Sequence, residues 1–338
     1  MKKNIVVVGG NIIGLYSAIK LVELGYDVCI MDKKETLGNI KYNNYAIFNK
    51  THTLYINLLN KFSINYSSFS IRQNERLFNL LQYIIAKSRL IPKKNIISQS
   101  FSKFCKSILN VYEYEILQNN LNDYEYIYAN MNAMDCITMF TNDITCKYEY
   151  YKLDDDITIL IKRMMQYLAE NGVKIIQGSE VREIKYDNNI YFIHGTLQAH
   201  IVVLTLSKKN LMHLRIWTKE QRSLLNHVST YNIDMKGLYN TMKERTDENS
   251  SLAEHNAIRN EILEKMHISY PILKCIQSTV DLWNIGTNSI IVREKIKNIS
   301  PALFICNMSH SKNALFIHYG LETFDCILSK IIRICSVF

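Results

Sequence analysis

The sequence predicts an α/β fold with a parallel sheet of the dinucleotide-binding kind, interrupted by a second, mixed helical and sheet lobe. Three observations predict it. Ile5 to Val8 form a β-branched run that reads as a buried strand. Gly9, Gly10, Asn11, Ile12, Ile13 and Gly14 occupy the six places of a G-x-G-x-x-G turn. Asp32 ends a second apolar run at 27–31, where a carboxylate reaches a ribose hydroxyl in such folds.

The elements follow in order. Between the turn and Leu24 the apolar residues recur at helical spacing, and Gly25 stops the helix. Residues 52–150 read as mostly helical and aromatic, with NERLFNLLQYIIAKSRLI the clearest amphipathic stretch. ITILIKRMMQYLAE (157–170) predicts another helix, ended by Asn171-Gly172. Strands return in VKIIQG, VREIKYD, NIYFIHG and HIVVLTL. From about 208 to 270 short helices alternate with polar turns. ALFICNM then predicts a strand, and HYGLETFDCILSKII a closing helix packed on the core.

This order places the nucleotide-binding layer in three separate pieces. The expected division is 1–50, 155–207 and 285–338 for that layer, with 51–154 and 208–284 forming the second lobe.

Composition narrows the classes. A hydrophobic content of 48% with 21% charged residues over 338 residues is globular and supports a sizeable core. The net charge of +9 permits an anionic partner, but the basic residues are scattered and read as solvated surface. No nucleic-acid motif stands out. The eight cysteines show no CxxC spacing and suit free thiols in a reducing, cytoplasmic compartment. No signal peptide and no run of about 18 apolar residues is present, so no membrane-spanning helix is expected. HExxH, a nucleophile elbow and a phosphate-binding Lys loop are all missing from the sequence.

In the turn, the first glycine makes the bend, the second admits the pyrophosphate, and the third lets helix and strand pack. Gly9 and Gly14 keep the bend and the packing. Asn11 takes the close-approach place, and its side chain is expected to project toward the phosphates. Asparagine tolerates left-handed dihedrals, so the backbone shape is expected to survive.

With these segments in view, the chain resembles the flavin-containing amine oxidases, the monoamine and polyamine oxidase group, and especially the short versions of large DNA viruses. DKKETLGNIKY resembles the acid and Gly-Gly-Arg element after the second strand, and YAIFNKTHTLYINLLNKFSI the helix entry that follows. MNAMDCITMFTNDI and YYKLDDDITILI resemble the middle segment. GVKIIQGSEVREI and HIVVLTLSKKNLMHL resemble the second set of flavin-domain strands. DLWNIGTNS and ALFICNMSHSKNALFIHYGLET resemble the C-terminal flavin motif.

The resemblance implies a bound FAD and hydride removal from a small amine to the flavin, with oxygen as the final acceptor. It implies cofactor contacts at Gly9, Gly10, Asn11, Gly14, Asp32, Gly38, Lys41, Val181, Asn307, Met308 and Gly320. It puts Lys236 at the catalytic lysine position and Trp283 near the site; Tyr319 is a candidate to face the flavin, but it is one of 22 tyrosines and nothing singles it out. For Lys236 a surface lysine, and for Trp283 a core aromatic, are the competing readings.

The departures from the family pattern cluster at flavin-facing places. Asn11 replaces a glycine, and Gly38 is followed by Asn39. Ile40 stands where the arginine belongs, with Lys41 beside it as the substitute. Asp155 and Asp156 take the middle Gly-Gly, where they are expected to crowd and repel the cofactor. Asn307 and Met308 replace the C-terminal glycine and acid.

The apolar pattern of strands and helices is intact. The sequence therefore favours a non-catalytic scaffold or binding protein with weakened FAD binding and a protein partner. GDP-dissociation inhibitors imply that such a fold serves without flavin chemistry. The alternative is an active FAD-dependent amine oxidase acting on a small amine. A galactopyranose mutase-like flavoenzyme, suggested by Gly38-Asn39, explains less of the C-terminal segment. Localisation is expected in the cytoplasm of a host cell, or in a virion if the chain is viral.

Overall fold

In the computed structural model, residues 3–37, 47–69, 75–121, 128–144, 149–232, 279–313 and 316–337 are described. The chain begins with β1 (Asn4–Val8), α1 (Ile12–Glu23) and β2 (Asp27–Met31). The first insertion holds β3 (Ile47–Asn49), α2 (Thr53–Lys61), β4 (Tyr66–Phe69), α3 (Glu75–Ser88), α4 (Lys93–Ile97), α5 (Phe101–Ile108), α6 (Val111–Asn120) and α7 (Ala133–Met139). A π-helical turn, Phe140–Ile144, leads to β5 (Tyr150–Leu153) and α8 (Ile157–Glu170). Next come β6 (Lys174–Ile176), β7 (Ile184–Asp187), β8 (Ile190–Ile193), β9 (Leu197–Ala199) and β10 (Ile201–Leu204). Then follow α9 (Lys208–His213), α10 (Lys219–Leu225), β11 (Val228–Asn232), β12 (Thr279–Trp283), α11 (Ser289–Ile296), β13 (Leu303–Ile305) and α12 (Ile317–Val337).

The principal sheet has the order β13-β10-β1-β2-β6, and each neighbouring pair is parallel. Its strands come from the start, the middle and the end of the chain. Every residue of β10 and all but the first of β1 are buried. Such runs suit a parallel sheet covered on both faces. α1 covers one face and packs against α8 and α12. α8 presents Ile157, Leu160, Ile161, Met164 and Leu168 inward at helical spacing. In α12, Leu321, Phe324, Ile327 and Ile331 are fully buried, which gives the amphipathic C-terminal stretch its place on the core.

A three-stranded sheet follows β6. β7, β8 and β9 form their own antiparallel meander and do not join the parallel sheet. The cause is local: Asn188 and Asn189 both adopt positive φ, at 48° and 64°, between β7 and β8. A two-residue turn of that hand closes a hairpin.

Helices α3 to α7 pack around a second apolar core. β12 joins the two cores by alternation: Leu282 points into the helical core and Trp283 into the sheet core. The start of α12 does the same, with Phe316 and Tyr319 on one side and Ile317 and Leu321 on the other. Among the described residues the six cysteines are free thiols, and Cys105, Cys136 and Cys306 are buried. No described helix is long and apolar enough to cross a membrane, and no described cluster of residues suits a metal ion.

Candidate nucleotide groove

β1 pairs with β2 on one side and β10 on the other, so the crossovers diverge at the carboxyl end of β1. Open α/β sheets bind ligands at such a point. A groove of about 740 Å³ lies there.

Its inner wall is the turn. Gly9 adopts φ +113°, and its carbonyl accepts from Thr205 Oγ1 at 2.8 Å. A Cβ on Gly14 would lie 1.9 Å from Gly9 O, so only glycine lets α1 approach β1. The bend and packing roles expected of Gly9 and Gly14 are thus visible in the geometry.

Asn11 corrects the expectation. Its backbone is extended, with φ −75° and ψ 176°, and its side chain turns back onto its own helix. Oδ1 accepts from the N–H groups of Ile13 and Gly14, both at 3.0 Å. Nδ2 donates to Thr205 O at 2.6 Å. Asparagine is a favoured helix N-cap, and capping wins over projection into the groove because it satisfies two otherwise unpaired donors.

Asp32 is committed in the same way. Oδ2 accepts from Gly10 N–H at 2.5 Å and Oδ1 from Lys34 N–H at 2.7 Å. Leu37 lies over Gly10, its Cδ2 2.4 Å from where a Cβ would stand. Gly10, next to the close-approach place held by Asn11, is thus closely covered by Leu37.

The floor of the groove is apolar, with Val8, Ile12, Met31, Val181 and Leu206. The outer rim is cationic. Lys33, Lys34, Arg182, Arg215 and His213 line it and are exposed. Glu180 is the counter-charge: Arg182 grips it through Nε and a terminal nitrogen at 2.7 and 2.6 Å. Arg182 first, and then Lys33 and His213, hold the Glu180 carboxyl below its ordinary range.

The remaining sequence candidates fall into three groups. Gly38, Lys41 and Lys236 lie outside the described residues, as do Asn39 and Ile40. Asn307, Met308 and Gly320 sit behind α1 and do not line this groove. Buried Asn307 donates to Leu206 O at 2.6 Å and accepts from His310 N–H at 2.9 Å. Met308 and Ile13 pack over Gly320 at distances that leave no room for a Cβ.

Asp155 and Asp156, expected to crowd the cofactor, are structural instead. Asp155 accepts from Asn65 N–H at 2.8 Å, and Asp156 caps α8 through Thr158 N–H at 2.7 Å. Neither lines the groove. Helix starts favour aspartate for the same reason they favour asparagine. Trp283 is a core aromatic whose indole N–H donates to Ser311 O at 3.1 Å.

The sequence missed a buried polar cluster where the two cores meet. Asp143 Oδ1 accepts from Tyr319 OH at 2.6 Å and from His52 Nε2–H at 3.2 Å. Its other oxygen accepts from Asn313 Nδ2 at 3.0 Å. Asn49 N–H points at His52 Nδ1, 3.4 Å away, which fixes the tautomer that donates to Asp143. His318 stacks on His52 with ring centres 5.1 Å apart, and burial lowers its pKa to about 4. Tyr319, a candidate to face the flavin, spends its hydroxyl on Asp143. Positions 52, 143, 313 and 319 are too far apart in the chain for any spacing rule to connect them.

No protein-family model matches the chain, and no curated protein matches it. Solved structures do. A putrescine oxidase variant is 11% identical, with 98% of this chain and 99% of that one covered, at a TM-score of 0.68. Wild-type putrescine oxidase bound to putrescine has the same identity and coverage at 0.66. Cyclohexylamine oxidase from Brevibacterium oxydans IH-35A is 7% identical, with 98% and 99% covered, at 0.70. At this identity the likeness is one of fold: from end to end, the chain has the fold of these amine oxidases.

Proposed function

We propose that this chain keeps the amine oxidase fold as a non-catalytic binding scaffold whose hold on FAD is weakened or lost. One observation carries the reading: the Gly10, Ile13 and Gly14 N–H groups of the turn are paired internally with Asp32 and Asn11. A pyrophosphate binds a helix N-terminus through such donors. To reach them it must displace the Asn11 cap, at about 1 kcal/mol. It must also displace the Asp32 carboxylate from Gly10, at about 1.5–3 kcal/mol. The displaced carboxylate then stands beside the phosphates and repels them. A total near 3 kcal/mol is about a hundredfold in affinity. The residues present do not fit the cofactor, and no flavin chemistry is routed through them. A protein partner and a cytoplasmic location belong to the same reading, as does the three-piece nucleotide layer around a second lobe.

The second reading, an active FAD-dependent oxidase of a small amine, is favoured by the groove itself, with Asp32 and Val181 on its wall. The full-length likeness to two amine oxidases supports it as well.

The two separate on a visible spectrum. The purified protein is expected to be colourless and to stay so on titration with FAD. Asn11→Gly frees two donors and is expected to tighten FAD binding about fivefold, the affinity equivalent of one cap. Wild-type protein purified with stoichiometric flavin overturns the proposal.

A further inference from the structure

The outer rim of the groove is built from three chain segments that converge on one patch. Ser179 to Arg182 follows β6, His213 to Arg215 follows α9, and Lys33-Lys34 follows β2. The first two are tied by Arg215 N–H donating to Arg182 O at 2.9 Å. Lys33 Nζ reaches Asn210 Oδ1 of α9 at 3.3 Å and closes the third side. Four cationic side chains line the groove, Lys33, Lys34, Arg182 and Arg215, against two carboxylates, Asp32 and Glu180. Asp32 is hydrogen-bonded to the Gly10 and Lys34 N–H groups. The patch therefore carries an excess of positive charge directed at solvent, beside an apolar floor.

The occupant follows from shape and charge together. The volume of about 740 Å³ is that of a small-molecule site. The apolar floor accepts a flat ring. The cations require an anion at one end, and guanidinium groups match phosphate in a paired geometry. The Gly10, Ile13 and Gly14 N–H groups of the turn are not available to that anion, because Asp32 and Asn11 use them. Glu180, held by two nitrogens of Arg182, competes with an external anion for that guanidinium.

We propose that the groove binds a nucleoside phosphate, with its base on the apolar floor and its phosphates on the side-chain rim of Arg182, Arg215, Lys33 and Lys34, away from the glycine turn. This rests on the reading that the turn no longer serves a dinucleotide. It changes what carries the affinity: mobile surface cations in place of fixed backbone donors.

The test is calorimetric titration of the full chain with ADP, with adenosine as control. ADP is expected to bind and adenosine to bind at least tenfold more weakly. Raising salt from about 50 to 200 mM is expected to weaken ADP severalfold, because exposed charges are screened. Arg182→Ala/Arg215→Ala is expected to lose about tenfold or more in ADP affinity. Glu180→Gln removes the competing carboxylate and is expected to gain about threefold. All three side chains are exposed, and an unchanged thermal melt verifies that the variants fold. Equal binding of ADP and adenosine, or undiminished ADP binding by the double arginine variant, overturns the proposal. Wild type that binds neither ADP nor FAD overturns this inference and leaves the reading of the turn standing. Tight FAD binding by wild type sinks the reading of the turn instead.

Discussion

The two ends of the groove treat their polar groups in opposite ways. At the turn, every donor described above is consumed inside the chain: Gly10 by Asp32, Ile13 and Gly14 by Asn11. At the rim, four cationic side chains stand in solvent around a single exposed carboxylate, Glu180. The difference sets two kinds of anion donor side by side in one cleft. Backbone donors are strong anion ligands only while they are unsatisfied, and one capping side chain removes them. Side-chain cations keep their charge whatever the backbone does, but salt weakens them.

The most severe way to break this arrangement is through its packing. Gly14→Ala puts a Cβ 1.9 Å from Gly9 O and 2.9 Å from Thr205 Oγ1. The obstacle is backbone and cannot rotate aside. Overpacking of this kind is expected to cost about 3 kcal/mol or more, read as a lowered denaturant midpoint at unchanged slope. Little loss would mean that α1 shifts freely over β1, and the turn would then be less rigid than its hydrogen bonds imply.

A smaller effect concerns pH and the loop after β13. His310 is buried, with Nδ1 at 3.1 Å from Asn307 Oδ1, and burial lowers its pKa to about 4. The unfolded histidine titrates near 6.5. Between those values the unfolded chain binds a proton that the native protein refuses, so stability falls as pH drops through this window. The slope is about 1.4 kcal/mol per pH unit, or roughly 2 kcal/mol between pH 6.5 and 5. His310→Gln is expected to remove that share of the slope in denaturation measured at the two pH values. His318 adds in the same direction, because its burial also favours the neutral ring. Asp135 opposes both below about pH 6, since burial raises its pKa to about 6 and the native state takes up that proton first. An unchanged slope in His310→Gln would place the acid sensitivity elsewhere.

What the sequence revealed and what it hid follow one physical line. Local rules reached the first βαβ unit and α8 with their bounds, because periodicity, glycine stops and caps are written within a few residues of where they act. They reached β1 and β10 because β-branched runs mark buried parallel strands. They failed for the orientation of a single side chain. Asn11 lines the groove, but no local rule showed that its side chain would turn to cap its own helix. Asp155 and Asp156 were misread for the same reason. The antiparallel pairing of β7 to β9 was not legible, since strand propensity says nothing of partner. The Asp143 cluster had no local signature at all: its members meet only after the two cores pack. α11 and β12 went unread because each is short and flanks a segment of weak pattern.

The smallest expected effect bears most directly on the comparison. Asn11→Ala removes the cap from Ile13 and Gly14 and the bond to Thr205 O, while leaving the packing glycines alone. A lost N-cap costs about 0.5–2 kcal/mol, typically near 1. The unpaired Thr205 carbonyl adds to this, because Thr205 is fully buried. The expected total is about 1–2 kcal/mol in chemical denaturation. Asn11→Ser keeps an oxygen at the cap and gives up only the Thr205 bond, so it is expected to lie between wild type and alanine. Serine equal to alanine would mean that the cap contributes little and that the Nδ2 bond to Thr205 holds the side chain back. In that event the helix donors are weakly held, a phosphate displaces Asn11 at small cost, and the contrast between the closed turn and the open rim loses its energetic basis.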